Sequence, residues 1–258
     1  IVCVIHDLIE FKIKNKFSPL RVFYRKIIVP RMAKKSKIII TVSENSKKDI
    51  IELLKQNPNK IKVVYNGVSD NFKSLEKGNR IFNFNYMLFV GTVDYPGKNI
   101  FNAITAFEAF KNETKENLKF IICGMKGKGF DVIDEKINTS PYKEDILYLG
   151  YVEDDKLKII YNYAKIFIFI SYYEGFGLPI LEAMKLGVPV ITSNRSSLPE
   201  VAGNAAIIVD PDDVISIKEA IKNLYYNEEL SNELKTKGYE NVAKYSWQKT
   251  AEKTLDIF

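Results

Sequence analysis

From residue 86 onward the chain alternates short apolar runs with longer amphipathic stretches. The runs fall at 87–90, 119–123, 146–149, 166–170, 188–192 and 205–209. Val, Ile and Phe fill most of them nearly without interruption, the pattern of parallel strands covered by helices on both faces. Between them, stretches such as 100–110 and 154–163 carry apolar residues at helical spacing. Six such units predict an α/β fold: a doubly wound sheet in the order 3-2-1-4-5-6, one complete Rossmann-like domain over 86–245. Three runs upstream, at 1–5, 38–42 and 61–65, repeat the pattern with basic helices between them. They predict an incomplete second Rossmann-like sheet over 1–68. The polar stretch 69–85, with Gly78 and several asparagines, reads as a linker. The tail from 215 reads as successive helices. The last of them, 246–258, opens at Ser246 and Trp247 and is expected to return to the N-terminal domain.

Composition narrows the picture. With 46% apolar and 27% charged residues the chain has the material for a packed core, and no apolar run is long enough to cross a bilayer. It opens on Ile1, inside an apolar run, which predicts a sequence that starts part-way into a longer protein. Cys3 and Cys123 lie in apolar runs and read as buried thiols. Two cysteines and the single His6 make neither a disulfide framework nor a zinc site, so a reducing, cytoplasmic compartment is expected.

The net charge of +6 is unevenly spread. Between Phe11 and Ser43 stand Lys12, Lys14, Lys16, Arg21, Arg25, Lys26, Arg31, Lys34, Lys35 and Lys37, with no acid among them. A solvated helix face accounts for this. So does peripheral contact of 11–43 with an anionic membrane or a phosphorylated acceptor, since each basic residue at a charged leaflet contributes about 1 kcal/mol. Nucleic acid is not expected, because no binding module accompanies the charge.

Chemistry concentrates after the fourth strand of the complete domain, in the stretch Ser171-Tyr172-Tyr173-Glu174-Gly175-Phe176-Gly177-Leu178-Pro179-Ile180-Leu181-Glu182. Gly175 and Gly177 permit close backbone approach to a ligand. Pro179 suits the first position of a helix, whose N–H has no partner in any case. The N–H groups of Phe176, Gly177 and Leu178 then form an anion site at a helix N-terminus. Glu174 on the loop and Glu182, expected in the first helical turn, would repel a phosphate but accept hydrogen bonds from hydroxyls on either side of it. Hydroxyls, diphosphate, hydroxyls is the layout of a sugar nucleotide. A second loop, Gly91-Thr92-Val93-Asp94-Tyr95-Pro96-Gly97-Lys98-Asn99, follows the first strand. Strands one and four are neighbours at the switch point, so both loops face one crevice and Lys98 becomes the countercharge for a diphosphate.

Glu174-Gly-Phe-Gly-Leu-Pro-Ile-Leu-Glu182 resembles the E-x7-E motif of GT-B-fold retaining glycosyltransferases of family 4, the mannosyltransferase-like group 1 enzymes. The likeness extends through Ala183-Met184, Gly187-Val188-Pro189-Val190 and Ser193-Asn194-Arg195-Ser196-Ser197-Leu198-Pro199-Glu200-Val201-Ala202-Gly203. Upstream it covers Gly150-Tyr151-Val152, Asn66-Gly67-Val68, Thr41-Val42-Ser43-Glu44 and His6-Asp7-Leu8, essentially the whole chain.

The resemblance implies that Glu182 holds the ribose, that Glu174 and the amides of Phe176, Gly177 and Leu178 hold the sugar, and that Lys98 holds the diphosphate. It places His6 across the cleft near the transferred sugar, with Glu174 and His6 as catalytic residues. Thr92, Gly175 and Val152 join the donor contacts, the base lying near 149–152. It further implies a metal-independent, retaining transfer of a hexose, best matched by mannose from GDP-mannose, to a glycan or lipid-linked acceptor in cell-surface polysaccharide synthesis. No cofactor is expected. A truncated, non-catalytic sugar-nucleotide-binding module and a GT-B-type sugar-nucleotide epimerase remain as alternatives.

One departure stands out: Gly97 occupies the place where related mannosyltransferases have arginine, and Lys126 or Lys128 would have to substitute. Asp210-Pro211-Asp212 matches a metal-binding D-x-D pattern but reads as a turn after a strand. Gly124 to Gly129 lacks the spacing of a dinucleotide fingerprint. Ser171 has no histidine beside it to make a nucleophile.

Overall fold

The computed structural model describes residues 1–13, 17–72 and 80–258. Lys14, Lys16, Gly78 and the middle of the linker expected at 69–85 lie outside the described residues. In the first part β1 (Val2–Val4) leads to α1 (Ile9–Lys12) and α2 (Pro19–Lys35). Then come β2 (Ile38–Thr41), α3 (Glu44–Leu54) and β3 (Ile61–Val63), and the three strands pair in parallel in the order β1-β2-β3.

The second part begins with β4 (Asn85–Val90), α4 (Ile100–Thr114), β5 (Leu118–Cys123), α5 (Phe130–Asn138) and β6 (Ile146–Gly150). It continues with α6 (Asp154–Asn162), β7 (Ile166–Phe169), α7 (Leu178–Lys185), β8 (Val190–Ser193), α8 (Leu198–Ala202) and β9 (Ala206–Val209). Three helices close the chain, α9 (Val214–Tyr226), α10 (Glu228–Val242) and α11 (Trp247–Leu255).

The six strands of the second part are all parallel in the order β6-β5-β4-β7-β8-β9, which is 3-2-1-4-5-6 within that sheet. The uninterrupted apolar runs are explained by burial on both faces: Leu88, Phe120, Ile121, Phe167, Ile168, Val190 and Ile191 are inaccessible to solvent. Each such side chain contributes about 1.5–3 kcal/mol by leaving water.

The carboxyl ends of the two sheets meet, and short polar hydroxyls hold them together. Ser43 lies at the end of β2, and its hydroxyl caps α3 by accepting from Ser46 N at 3.0 Å. The same hydroxyl donates to the Gly175 carbonyl at 2.8 Å in the second part. The main core of the second part also takes in Val42 and Val68 from the first. At the other end of the chain, α11 starts against residues 65–68. The Thr250 hydroxyl donates to Tyr65 O at 2.7 Å, and Val68 N donates to Tyr245 O at 3.4 Å.

Candidate active site

Five chain segments converge between the two sheets: the stretch after β1 at His6 and Asp7, the end of β2 at Val42, residue Asn66, the loop after β4, and the loop after β7. They enclose a cavity of about 280 Å³ lined by His6, Asp7, Val42, Asn66, Lys98, Phe169 and residues 174–179. The strands deliver these side chains because β4 and β7 are neighbours at the switch point, where loops leave the sheet in opposite directions and open a crevice.

Lys98 and Glu174, both only slightly exposed, meet in this crevice with Nζ 2.6 Å from Oε1. The ammonium also lies 5.1 Å from the centre of the Phe169 ring. Among the described residues that line the cavity, Lys98 is the one lysine or arginine. Without a ligand, then, Lys98 is already paired with Glu174, and the Asp7 carboxylate lines the same cavity. An arriving anion has to draw Lys98 away from Glu174, and in doing so releases a carboxylate for hydroxyls.

The glycine loop is built to come close. Gly177 caps α7 in the left-handed region at φ 116°, and a Cβ there would lie 2.9 Å from Leu198 Cδ2. A Cβ on Gly175 would come within 2.8 Å of Asp7 Cβ and 3.1 Å of His6 O, so only glycine lets the two halves touch at this point. Ser196 adopts φ 51°, a left-handed conformation costing a non-glycine residue on the order of 1–3 kcal/mol. Its hydroxyl thereby accepts from Glu174 N at 2.9 Å. Ser197 donates to the carbonyls of Glu174 and Phe176 at 2.9 and 2.8 Å.

The helix register corrects one expectation. With Gly177 as the cap, α7 begins at Leu178, Pro179 takes the second position, and Glu182 falls in the second turn rather than the first. Its carboxylate accepts from the Tyr161 hydroxyl at 3.1 Å and does not line the cavity. Burial pushes the Glu182 carboxyl above its ordinary value, opposed by the hydrogen bond from Tyr161. Val152 lies in a separate cavity of about 440 Å³, with Phe82, Leu149, Tyr151, Glu153 and Lys156. Thr92 is exposed on the first loop, beside Gly127.

The arrangement also decides among the side features. Asp210 and Asp212 are tied to Arg195 at 3.1 and 3.3 Å, and Asp212 also accepts from the Tyr172 hydroxyl at 2.8 Å. The backbone N–H of Asp212, and then Arg195, hold the Asp210 carboxyl below its usual range. Lys126 and Lys128 are exposed and do not line the cavity, and Lys126 lies over the Phe130 ring at 4.5 Å. Gly97 is instead buried, with its carbonyl accepting from Tyr172 N at 3.0 Å. Ser171 is fully buried and its hydroxyl makes no hydrogen bond, a position unsuited to a nucleophile.

Residues 70–241 match the family described as glycosyl transferases group 1. The chain belongs to that family. Residues 1–72 match the description Glycosyltransferase Family 4. The whole chain aligns at 31% identity with O-antigen chain mannosyltransferase B of Escherichia coli, spanning 69% of that protein. At 32% identity, 85% of the chain aligns with O-antigen chain mannosyltransferase RfbU of Salmonella typhimurium, spanning 59% of it. Among solved structures, Anabaena HepE in complex with UDP and glucose superimposes over 99% of this chain and 70% of its own, with a TM-score of 0.84 at 15% identity. That identity supports the GT-B fold alone.

Several residues of the cavity and its surroundings carried no chemical signal in the sequence. Asp7 and Asn66 line the cavity, and each sits in a stretch that carries the family resemblance. Ser46 and Asp49 of the first half bond the neighbours of Glu174, Gly175 and Tyr173, across 129 and 124 residues of sequence.

Proposed function

We propose that this chain carries the donor site of a retaining hexosyltransferase, with GDP-mannose as donor and a glycan or lipid-linked sugar as acceptor. The observation that carries this reading is the Lys98–Glu174 pair at the N-terminus of α7, facing His6 and Asp7 across one cavity. A diphosphate fits the partial positive charge and open N–H groups of that helix end and takes Lys98 as its counterion. The released Glu174 then accepts from sugar hydroxyls and faces the positive charge that develops on the ring as the glycosidic bond breaks. The anomeric carbon leaves the phosphate oxygen and bonds to the acceptor hydroxyl on the same face. The leaving diphosphate takes the acceptor's proton. His6 stands on the far side, beside the transferred sugar. Glu182 is assigned to the ribose and Val152 with Thr92 to the nucleoside end, and binding of the donor would have to bring these three positions into one path.

Mannose is preferred because both relatives above are named as O-antigen mannosyltransferases. The same names support a role in cell-surface polysaccharide synthesis. Titration with GDP-mannose, UDP-glucose and UDP-GlcNAc, followed by an assay for released nucleoside diphosphate, tests the reading. Tight binding of GDP-mannose with acceptor-dependent GDP release is expected. Binding without turnover in the complete protein would favour the binding module, and conversion of the donor into another sugar nucleotide would favour the epimerase.

A membrane partner is part of this proposal. Helix α2 exposes Leu20, Phe23 and Tyr24 beside Arg21, Lys26, Arg31, Lys34 and Lys35. This mixture of apolar and cationic side chains fits an anionic bilayer interface. Two of the basic residues of the region have other work, since Arg25 pairs with the buried Glu10 at 2.7 Å and Lys12 with Asp49 at 2.6 Å. No described helix is long and apolar enough to cross a membrane.

A further inference from the structure

The loop between β7 and α7 is held alternately by the two halves of the molecule. Tyr172 belongs to the second half, through the Gly97 carbonyl and Asp212. Tyr173 belongs to the first: its buried hydroxyl donates to Asp49 Oδ2 at 2.7 Å, on α3. Glu174 returns to the second half through Ser196, Ser197 and Lys98. The Gly175 carbonyl accepts from Ser43 of the first, and the Phe176 carbonyl from Ser197 of the second. No residue from 172 to 176 is without a tie, and from 172 to 175 the ties alternate between the halves; Phe176 meets both, since its ring also lies 6.0 Å from that of Tyr65 in the first.

The anchor in the first half is itself fixed. The Asp49 carboxylate, almost wholly buried, also meets Lys12 Nζ at 2.6 Å. The helix that bears it is docked from the second half, where the Glu200 carboxylate accepts from the N–H groups of Glu44 and Asn45 at 2.8 and 3.2 Å. An anion at a helix N-terminus is a favourable contact. Burial first, then the bond to Asp49, pushes the Tyr173 hydroxyl well above the usual tyrosine range, so it stays a donor at any physiological pH.

We propose that Asp49, acting through Tyr173, is a positioning residue that aligns Glu174 only when the two halves are closed on each other. Resting on the donor-site reading above, the inference adds how that site is switched on. Separation of the halves would pull residues 173 and 175 away from 172 and 174 and leave Glu174 misaligned. Binding of donor in the second half alone would then not commit the enzyme to transfer, because the aligned carboxylate needs the first half, which also brings His6. This is a closure that completes the reacting constellation, and it works on kcat rather than on donor affinity.

The test uses Tyr173→Phe and Asp49→Asn in the complete protein, with Ser43→Ala as an independent cut at Gly175. Three quantities are read: GDP-mannose affinity by titration, kcat for transfer, and amide hydrogen exchange of residues 171–177. Tyr173→Phe keeps the ring and its packing and removes one hydrogen bond to a carboxylate. It should lower kcat about ten- to a hundredfold. Donor affinity should stay within about twofold, because the interaction removed is absent from the donor contacts. Exchange across the loop should quicken in all three variants. The Tyr173→Phe, Asp49→Asn double variant should be no slower than the worse single, since both cut one link. Wild-type kcat in Tyr173→Phe, or additive losses in the double variant, would overturn the proposal. Faster loop exchange in the variants of a protein that transfers no sugar would uphold the coupling and refute the donor-site reading instead. Unchanged exchange in a protein that does transfer sugar would refute the coupling alone.

Discussion

Replacing Glu174 by Gln should slow transfer without weakening donor binding, because of the ion pair it leaves behind. Glu174 Oε1 and Lys98 Nζ are 2.6 Å apart and each side chain is only about one-seventh exposed. At that separation and an effective dielectric of about 20 the direct attraction is on the order of 6 kcal/mol, most of it cancelled by the desolvation of both groups. A net coupling of about 1–3 kcal/mol remains, and a diphosphate that recruits Lys98 must overcome it. Gln keeps the size and a hydrogen-bonding oxygen but not the charge, so Lys98 in the variant is available at less cost. GDP-mannose affinity should therefore be unchanged or rise, by up to about tenfold if some 1.4 kcal/mol of the coupling is recovered. Turnover moves the other way. A carboxylate beside a ring that gains positive charge stabilises the transition state more than the ground state, and its loss should cost about ten- to a thousandfold in kcat, roughly 1.4–4 kcal/mol. Isothermal titration against donor and steady-state GDP release measure the two effects separately. A tenfold loss of affinity with kcat intact would refute the reasoning, because Glu174 would then act as a ground-state contact and Lys98 would not be its competitor's target.

Glu182 offers a test through pH. Its carboxyl is raised above 4.5 by burial, so the folded state holds that proton more tightly than the unfolded chain. The protonated form's contribution to stability is complete below about 4.5 and is lost as pH rises through the folded value. Glu182→Gln removes the titration while still accepting from Tyr161. Its melting temperature should match the wild type near pH 4 and exceed it progressively towards pH 7, and a constant difference would argue against the buried carboxyl. A chelator should leave GDP-mannose binding unchanged, since Lys98 and the α7 N-terminus supply the positive potential; strict dependence on magnesium or manganese would return attention to Asp210 and Asp212. Pelleting with anionic vesicles should exceed pelleting with neutral ones and fall in salt, and Phe23→Ser with Tyr24→Ser should reduce it several-fold. Equal pelleting with both vesicle types would sink the membrane contact.

The sheet was legible because burial on both faces writes itself into composition. A strand such as Phe120, Ile121, Ile122 has no solvated side to alternate towards, and the switch point follows from strand order alone. That rule also brought Lys98 and Glu174 into one crevice from loops 76 residues apart. Helix α7 was legible to within one residue, yet that residue puts Glu182 in the second turn, and its carboxylate meets the Tyr161 hydroxyl rather than the cavity. The missing arginine at Gly97 was visible as a departure, but not that the glycine is buried with its carbonyl bound to Tyr172 N.

What sequence could not supply was the seam between the halves. Tyr173 and Asp49 sit 124 residues apart, and Glu200 and Glu44 sit 156 apart. Neither pair falls on a helical or strand period, and Ser43 and Ser46 look like ordinary capping serines until Gly175 comes within reach. A seam of this kind depends on how two sheets are docked, and the strand pattern of each sheet is set without it. Its residues are therefore free of the constraints that make core strands readable, and the contacts that align Glu174 lie where local pattern has least to say.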